Sequence, residues 1–134
     1  HHKALEFKDR FQGNSKEALI FRGNAGWFDD DKPRCEKNYK LLTELYPDDR
    51  ESYYYYGLYF HHLQRDFPRA IELYDRAIAL TPDYFPIYRD KAYALKEVEG
   101  ADAAVHLLQE YLRAYGDGPG VDSARDAIAE IRGV

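Results

Sequence analysis

The chain has 134 residues, of which 45% are hydrophobic and 32% are charged, and its 19 basic and 24 acidic residues give a net charge of -5. This length and composition suit one domain with its own core, and the mixed charges predict no basic face for nucleic acid. No apolar run approaches the roughly 18 residues that a membrane span requires, so no membrane span is expected.

The chain contains no Met, which predicts an excised or processed piece of a longer protein, and His1 and His2 are expected to be a tag remnant. Residues 1–15 as a whole are expected to be this tag remnant followed by either a short helix, over Lys3–Phe11, or a leader. The single cysteine, Cys35, has no partner for an internal disulfide and is expected to pack in the core rather than to react. A single thiol is compatible with a cytoplasmic location but does not establish one.

After residues 1–15, a first helix is predicted from its capping residues. Asn14 or Ser15 is expected to be the N-cap, and the helix is expected to end near Phe28. Arg22 falls on the expected core stripe of this helix. Gly26 is expected to fray the helix or to end it early, because an interior glycine costs about 1 kcal/mol relative to alanine.

Three consecutive carboxylates, Asp29 to Asp31, precede a second predicted helix over Pro33–Tyr46. They are expected to cap the positive end of that helix rather than to bind calcium, because the glycine and the spaced ligands of a calcium loop are missing.

A third helix is predicted over Arg50–Leu63, which contains the four consecutive tyrosines Tyr53 to Tyr56. Tyrosine favours strands by propensity, but the alternation of a strand is absent, so a helix is predicted. A fourth helix is expected to start at Pro68, with Asp66 in capping range, and to end at Leu80.

Three further helices are predicted over Tyr84–Val98, Ala101–Tyr115 and Asp122–Ile131, and Gly100 separates the first two. The last helix presents one apolar face, which is typical of a helix that caps a repeat array. That face comprises Val121, Ala124, Ala127, Ile128 and Ile131.

A spacing of small residues, aromatic residues and proline recurs along the chain. In the fourth helix Ala70, Tyr74 and Ala77 share a helix face, with Pro82 following the helix. Equivalent residues lie 34 or 35 positions apart: Gly23, Gly57 and Ala92; Cys35, Ala70 and Ala104; Tyr39 and Tyr74; Pro47 and Pro82. A period of this size indicates a stacked array of helical hairpins, and the extra residue of the middle copy is predicted in the loop 63–66.

The pattern of a small residue, an aromatic residue, a small residue and a terminal proline resembles the tetratricopeptide repeat family, whose unit is a 34-residue helical hairpin. The resemblance covers roughly Lys16–Gly118, with copies at 16–49, 50–84 and 85–118 and a capping segment at 119–134. It implies an all-α fold, in which antiparallel helix pairs form a right-handed superhelix with a concave face. It also implies a protein-binding function and no catalysis.

Within such an array, steps of three and four along the first helix of each pair predict a groove that binds a peptide or protein segment. Tyrosine, tryptophan and arginine dominate binding hot spots, so these residue types support that prediction. The predicted groove residues are Ile20, Asn24, Trp27, Phe28, Tyr54, Leu58, His61, Arg89, Tyr93 and Lys96.

The 13 tyrosines of the chain exceed what the stripes between helices need, so some are expected to be exposed or to contact a partner. Core packing is expected for Tyr53, Tyr56, Tyr74 and Tyr88. For Tyr54 and Tyr93, core packing and a groove position stay open as equal alternatives.

One subset of the family clamps a partner's terminal carboxylate with lysine, asparagine and arginine. Asn24 alone matches those positions here, while Ile20, Pro86 and Asp90 replace basic residues. The resemblance therefore does not imply a carboxylate clamp. Binding of an acidic peptide in a different geometry stays open, because Arg89 and Lys96 are predicted groove residues.

No catalytic, cofactor or metal site is expected. The neighbouring side chains of His61 and His62 should diverge by about 100 degrees on a helix, and no phosphate loop, nucleophile elbow or cysteine pair is present in the sequence. Two alternatives stay open: a substrate-positioning or assembly domain of a larger enzyme or transport complex, and a self-associating array that forms a homo-oligomer.

Overall fold

The computed structural model describes residues 13–134, and the predicted leader helix over Lys3–Phe11 lies outside the described residues. Across residues 13–134 the fold is all-α, with no strand. The helices are α1 (Lys16–Phe28), α2 (Lys32–Leu45), α3 (Arg50–Tyr59) followed by a π-helical turn (Phe60–Gln64), α4 (Phe67–Leu80), α5 (Phe85–Glu99), α6 (Ala101–Ala114) and α7 (Val121–Arg132).

The helices form three antiparallel pairs, α1 with α2, α3 with α4 and α5 with α6, and each pair packs on the next through α2 against α3 and α4 against α5. Helix α7 packs on α6 and buries four residues of its predicted face, Ala124, Ala127, Ile128 and Ile131. Stacking neighbours in sequence buries faces that no single pair can bury alone. The described chain is thus a superhelix of helix pairs.

Side-chain caps begin three of these helices. Ser15 Oγ accepts a hydrogen bond from Ala18 N at 3.1 Å, which confirms the predicted N-cap of α1. Asp31 and Asp66 each accept from the backbone N–H three residues later, at 3.1 Å and 3.3 Å. These caps satisfy N–H groups that have no partner within the helix.

Small residues allow the two helices of a pair to approach closely. A Cβ on Gly57 would lie 2.7 Å from Cε1 of Tyr74, and one on Gly23 would collide with the ring of Tyr39. Cys35 is fully buried among the same residues, as predicted. The repeated small and aromatic positions are therefore matched parts of one interface.

The prediction for Gly26 was wrong, because α1 continues through this glycine to Phe28. Gly26 is buried, and a Cβ there would lie 2.9 Å from Cys35 N. The glycine serves the close contact with α2, which offsets its low helix propensity. Arg22, placed on the core stripe, donates through Nε to Oδ1 of buried Asn38 at 3.0 Å.

The extra residue of the middle copy was predicted in the loop 63–66, and a π-helical turn overlaps the start of that segment. The chain widens over Phe60–Gln64, and Arg65 and Asp66 connect this turn to α4. Arg65 then adopts a left-handed conformation with φ 52°, and Asp66 N donates to Phe60 O at 2.8 Å. A π-turn is a known way to insert one residue into a helix.

The tyrosine side chains also hold the turns between pairs. Tyr53 donates through its hydroxyl to Pro47 O at 2.9 Å, and Tyr88, its equivalent in the next copy, donates to Pro82 O at 2.7 Å. Tyr53, Tyr56 and Tyr74 are buried, which confirms their predicted core role. Tyr88 is half-buried and packs on the ring of Tyr111.

Candidate functional site

The candidate site is the face formed by the first helix of each pair, α1, α3 and α5, and we call it the groove face. Its members are the exposed or half-buried residues Ile20, Asn24, Trp27, Phe28, Tyr54, Leu58, Arg89, Tyr93 and Lys96. Phe28 is the most open of the large hydrophobic residues on these helices, with 91% of its surface exposed.

The middle and last helices of the groove face are joined by a direct side-chain contact. The hydroxyl of Tyr54 donates to Oδ2 of Asp90 at 2.5 Å. Burial and this bond to the carboxylate both raise the pKa of Tyr54, so its hydroxyl stays protonated and remains a donor. Burial also raises the pKa of Asp90, against the hydrogen bond from Tyr54 and the charge of Arg89.

At the α1 end, aromatic rings reach towards the middle copy. The ring centroids of Trp27 and His62 lie 6.2 Å apart with the planes tilted. Asn24 accepts a hydrogen bond from the hydroxyl of Tyr39 at 2.6 Å. The amide oxygen of Asn24 is therefore already engaged within the protein.

At the α5 end, Tyr93 lies beside charged groups. Burial, followed by a hydrogen bond to Glu130 of α7, raises the pKa of Tyr93 to about 12. Arg89 Nε lies 3.8 Å from Oδ1 of Asp90, and the Arg89 side chain is 47% exposed. Lys96 is exposed two turns further along α5.

His61 is the one predicted groove residue that the structure buries, with 6% of its surface exposed. Its Nδ1 lies 2.9 Å from the hydroxyl of Tyr74, and burial lowers the pKa of His61 to about 4. The imidazole is therefore neutral at pH 7 and belongs to the contact with α4, so we leave it out of the groove face.

The rings of His61 and His62 were expected to diverge, and they instead stack at 4.1 Å with an angle of 9° between their planes. Both residues lie in the π-helical turn. Within residues 13–134, no group of three or more His, Cys, Asp or Glu side chains could hold a metal ion.

No protein-family model and no curated protein matches the chain. Solved structures do match it. The TPR2B domain of yeast Sti1, in a complex with pHsp70, superposes with a TM-score of 0.70 at 21% identity, over 87% of this chain and 95% of that one. The Arabidopsis OM64 TPR domain superposes with a TM-score of 0.69 at 18% identity, over 90% and 98% of the two chains.

A third match is the second TPR domain of human RPAP3 in a complex with the HSP70 peptide SGPTIEEVD, with a TM-score of 0.67 at 14% identity, over 85% of this chain and 92% of that one. Each match spans most of both chains. The chain has a tetratricopeptide repeat fold.

Three residues of this TPR fold that lie next to the groove face were not predicted from the sequence as site residues: Tyr55, His62 and Asp90. His62 and Tyr55 each follow a predicted residue by one position, and Tyr55 stacks on Tyr39 with centroids 6.0 Å apart. Asp90 was noted only as a departure from a carboxylate clamp. It lies 35 residues after Tyr55, so the two residues occupy equivalent positions in consecutive copies.

The TPR array also carries a cleft of about 500 Å³ away from the groove face, between α1 and α2. A smaller cleft, of about 250 Å³, lies between the start of α5 and the turn before α7, where Arg89 forms part of its rim. Arg89 is thus shared by the groove face and this apolar cleft.

None of the helices within residues 13–134 combines the length and the apolar character that crossing a membrane requires.

Proposed function

We propose that this TPR array is a non-catalytic protein-interaction scaffold, and that its groove face binds an extended or helical segment of another protein. The observation that carries the proposal is that each of the three first helices contributes a partly exposed aromatic side chain to the groove face. Trp27 comes from α1, Tyr54 from α3 and Tyr93 from α5, and none of the three is fully buried.

These residue types suit the proposed role. Tyrosine and tryptophan provide large contact areas with few torsions to immobilise, and they are enriched at binding hot spots. The hydrogen bonds of Tyr54 to Asp90 and of Tyr39 to Asn24 hold groove residues in place before a ligand arrives. A face that is ordered in advance loses less entropy on binding.

Proteins of the same fold support a peptide as the ligand. The Sti1 and RPAP3 domains were solved in complexes with pHsp70 and with an HSP70 peptide. Because Ile20, Pro86 and Asp90 occupy the positions where a carboxylate clamp has basic residues, we do not propose a terminal carboxylate as the group that this chain binds.

An array of immobilised peptides, probed with the purified domain, tests the proposal. Tyr93→Ala is expected to lower capture of the bound peptides about tenfold, in the range of a hot-spot loss. Tyr115→Ala is the matched control, because Tyr115 is another half-buried tyrosine, at the end of α6 rather than on a first helix.

Equal losses in the two variants would contradict the groove face as the binding surface. A wild-type domain that captures no peptide on the array would contradict the proposed function itself. Thermal melts of both variants exclude loss of fold as the cause of reduced capture.

A further inference from the structure

Asp90 places a carboxylate next to Tyr54, an aromatic residue of the groove face. Asp90 accepts the hydroxyl of Tyr54 at 2.5 Å. His62 and Tyr93 also lie near enough to interact electrostatically with Asp90. The four residues come from the π-helical turn, α3 and α5, so the carboxylate is reached from two of the three helix pairs.

The Asp90 carboxylate is not saturated by its protein partners. Two oxygens accept about four hydrogen bonds in all, and Tyr54 and Arg89 use only some of these positions. The ion pair with Arg89 is 3.8 Å long, whereas a charge-assisted N–H···O bond is about 2.7–2.9 Å. The Asp90 side chain is 15% exposed, so its remaining acceptor positions are sheltered but still reachable from the groove.

A carboxylate beside an aromatic ring suits a cation. The rings of tyrosine attract ammonium and guanidinium groups through their faces, and this attraction strengthens as water is excluded. A carboxylate in the ligand would instead meet a like charge at the same place, which is costly at a partly desolvated interface.

Arg89 and Lys96, the basic residues of α5 on the groove face, do not reverse this preference. Arg89 competes with a ligand cation for the Asp90 carboxylate, but its Nε–Oδ1 distance is 3.8 Å and about half of its side chain is exposed to water. Lys96 lies seven residues further on, about 10 Å along the helix axis, and it is exposed to solvent that screens its charge.

We propose that Asp90 makes the groove face selective for a peptide that carries a lysine or arginine side chain at the position that reaches this carboxylate. The inference rests on the proposed function, since it requires that a peptide binds there. It assigns a ligand chemistry opposite to that of an acidic tail, and it makes Asp90 the residue that determines specificity.

The test uses three sets of mixed-sequence, C-terminally amidated peptides that are identical except for a fixed central lysine, glutamine or glutamate. The wild-type domain is expected to capture the lysine set about tenfold more strongly than the glutamate set, as one close charge pair allows. Asp90→Asn should remove this preference, and Asp90→Glu, which keeps the charge, should retain much of it.

Glu97→Gln is the matched control. It makes the same change in net charge on the same helix, at an exposed position, and it should leave the lysine preference intact. Thermal melts establish that each variant is folded.

Equal capture of all three sets by the wild-type domain would overturn the inference while leaving the proposed function in place. A lysine preference that survives in Asp90→Asn would also overturn it, as would one that disappears equally in Glu97→Gln. No capture of any set would instead refute the proposed function.

Discussion

The ring of Tyr74 fills the space that a side chain on Gly57 would need, with Cε1 only 2.7 Å from the position of a Cβ. Tyr74 is fully buried and bonded through its hydroxyl to His61, so the ring has no room to withdraw. The same relationship holds 34 or 35 residues earlier between Gly23 and Tyr39. These pairs set how closely the two helices of a repeat approach.

Gly57→Ala is therefore expected to destabilise the fold, although alanine favours helices. Overpacking of a core costs about 1–3 kcal/mol, against a helix-propensity gain of about 1 kcal/mol. Chemical denaturation of the variant measures the difference. In a Tyr74→Leu background the same substitution should cost clearly less, and equal costs in the two backgrounds would show that the ring is not the obstacle.

The N-caps of the second helices predict a matched pair of effects. Asp31→Ala and Asp66→Ala each remove a side-chain acceptor for a backbone N–H, and each should lower the free energy of unfolding by about 1 kcal/mol. Asp48→Ala is the control, because Asp48 is exposed in the turn before α3. A loss as large in Asp48→Ala would point to net charge rather than capping.

The bond between Tyr54 and Asp90 predicts energetic coupling between α3 and α5. Tyr54→Phe leaves a partly buried carboxylate with one partner fewer, which should cost about 1–3 kcal/mol. The same change in an Asp90→Asn background should cost less, because a neutral amide loses less from a missing donor. A double-mutant cycle of denaturation midpoints measures the coupling, and additive effects would contradict it.

Burial of His61 predicts a dependence of stability on pH. The pKa of His61 falls from 6.5 to about 4 in the folded protein, so between these values the unfolded chain binds the proton more readily. The free energy of unfolding should therefore fall as the pH is lowered from 6.5 towards 4, by up to roughly 3 kcal/mol from this group. Denaturation at a series of pH values measures this loss.

The variant His61→Gln isolates that contribution from other groups, including Asp90, whose raised pKa acts in the opposite direction. The wild-type protein should lose more stability than the variant over the same pH range. Parallel curves for the two proteins would show that His61 does not titrate with folding.

The sequence predicted the fold because the packing repeats. Small residues such as Gly57 and Ala70 are needed where the backbones of two helices lie close together, so they recur in each copy. The prolines that follow the second helices recur with them. Caps such as Asp66 are local and were found from neighbouring residues alone. The predicted helix bounds lie within a few residues of the observed ones, because caps and prolines mark helix ends locally.

The wrong predictions concern residues whose role depends on contacts with a neighbouring helix rather than on their own helix. Gly26 has poor helix propensity, but a glycine is needed there because the backbone of Cys35 lies too close for a Cβ. The π-turn at Phe60–Gln64 leaves no sequence signature beyond the count of one extra residue, and His61, which lies in this turn, is buried against Tyr74. Asp90 was noted only as a departure from the carboxylate-clamp pattern. Its hydrogen bond to Tyr54 joins residues 36 positions apart, so neighbouring residues in the sequence do not reveal it.

The central claim is that the groove face of α1, α3 and α5 binds a peptide. It is tested most directly by titrating the isotope-labelled domain with the most strongly captured array peptide and following backbone amide shifts. We expect the largest shifts on these three helices, at residues such as Asn24, Leu58 and Tyr93. Shifts concentrated on α2, α4 and α6 would contradict it.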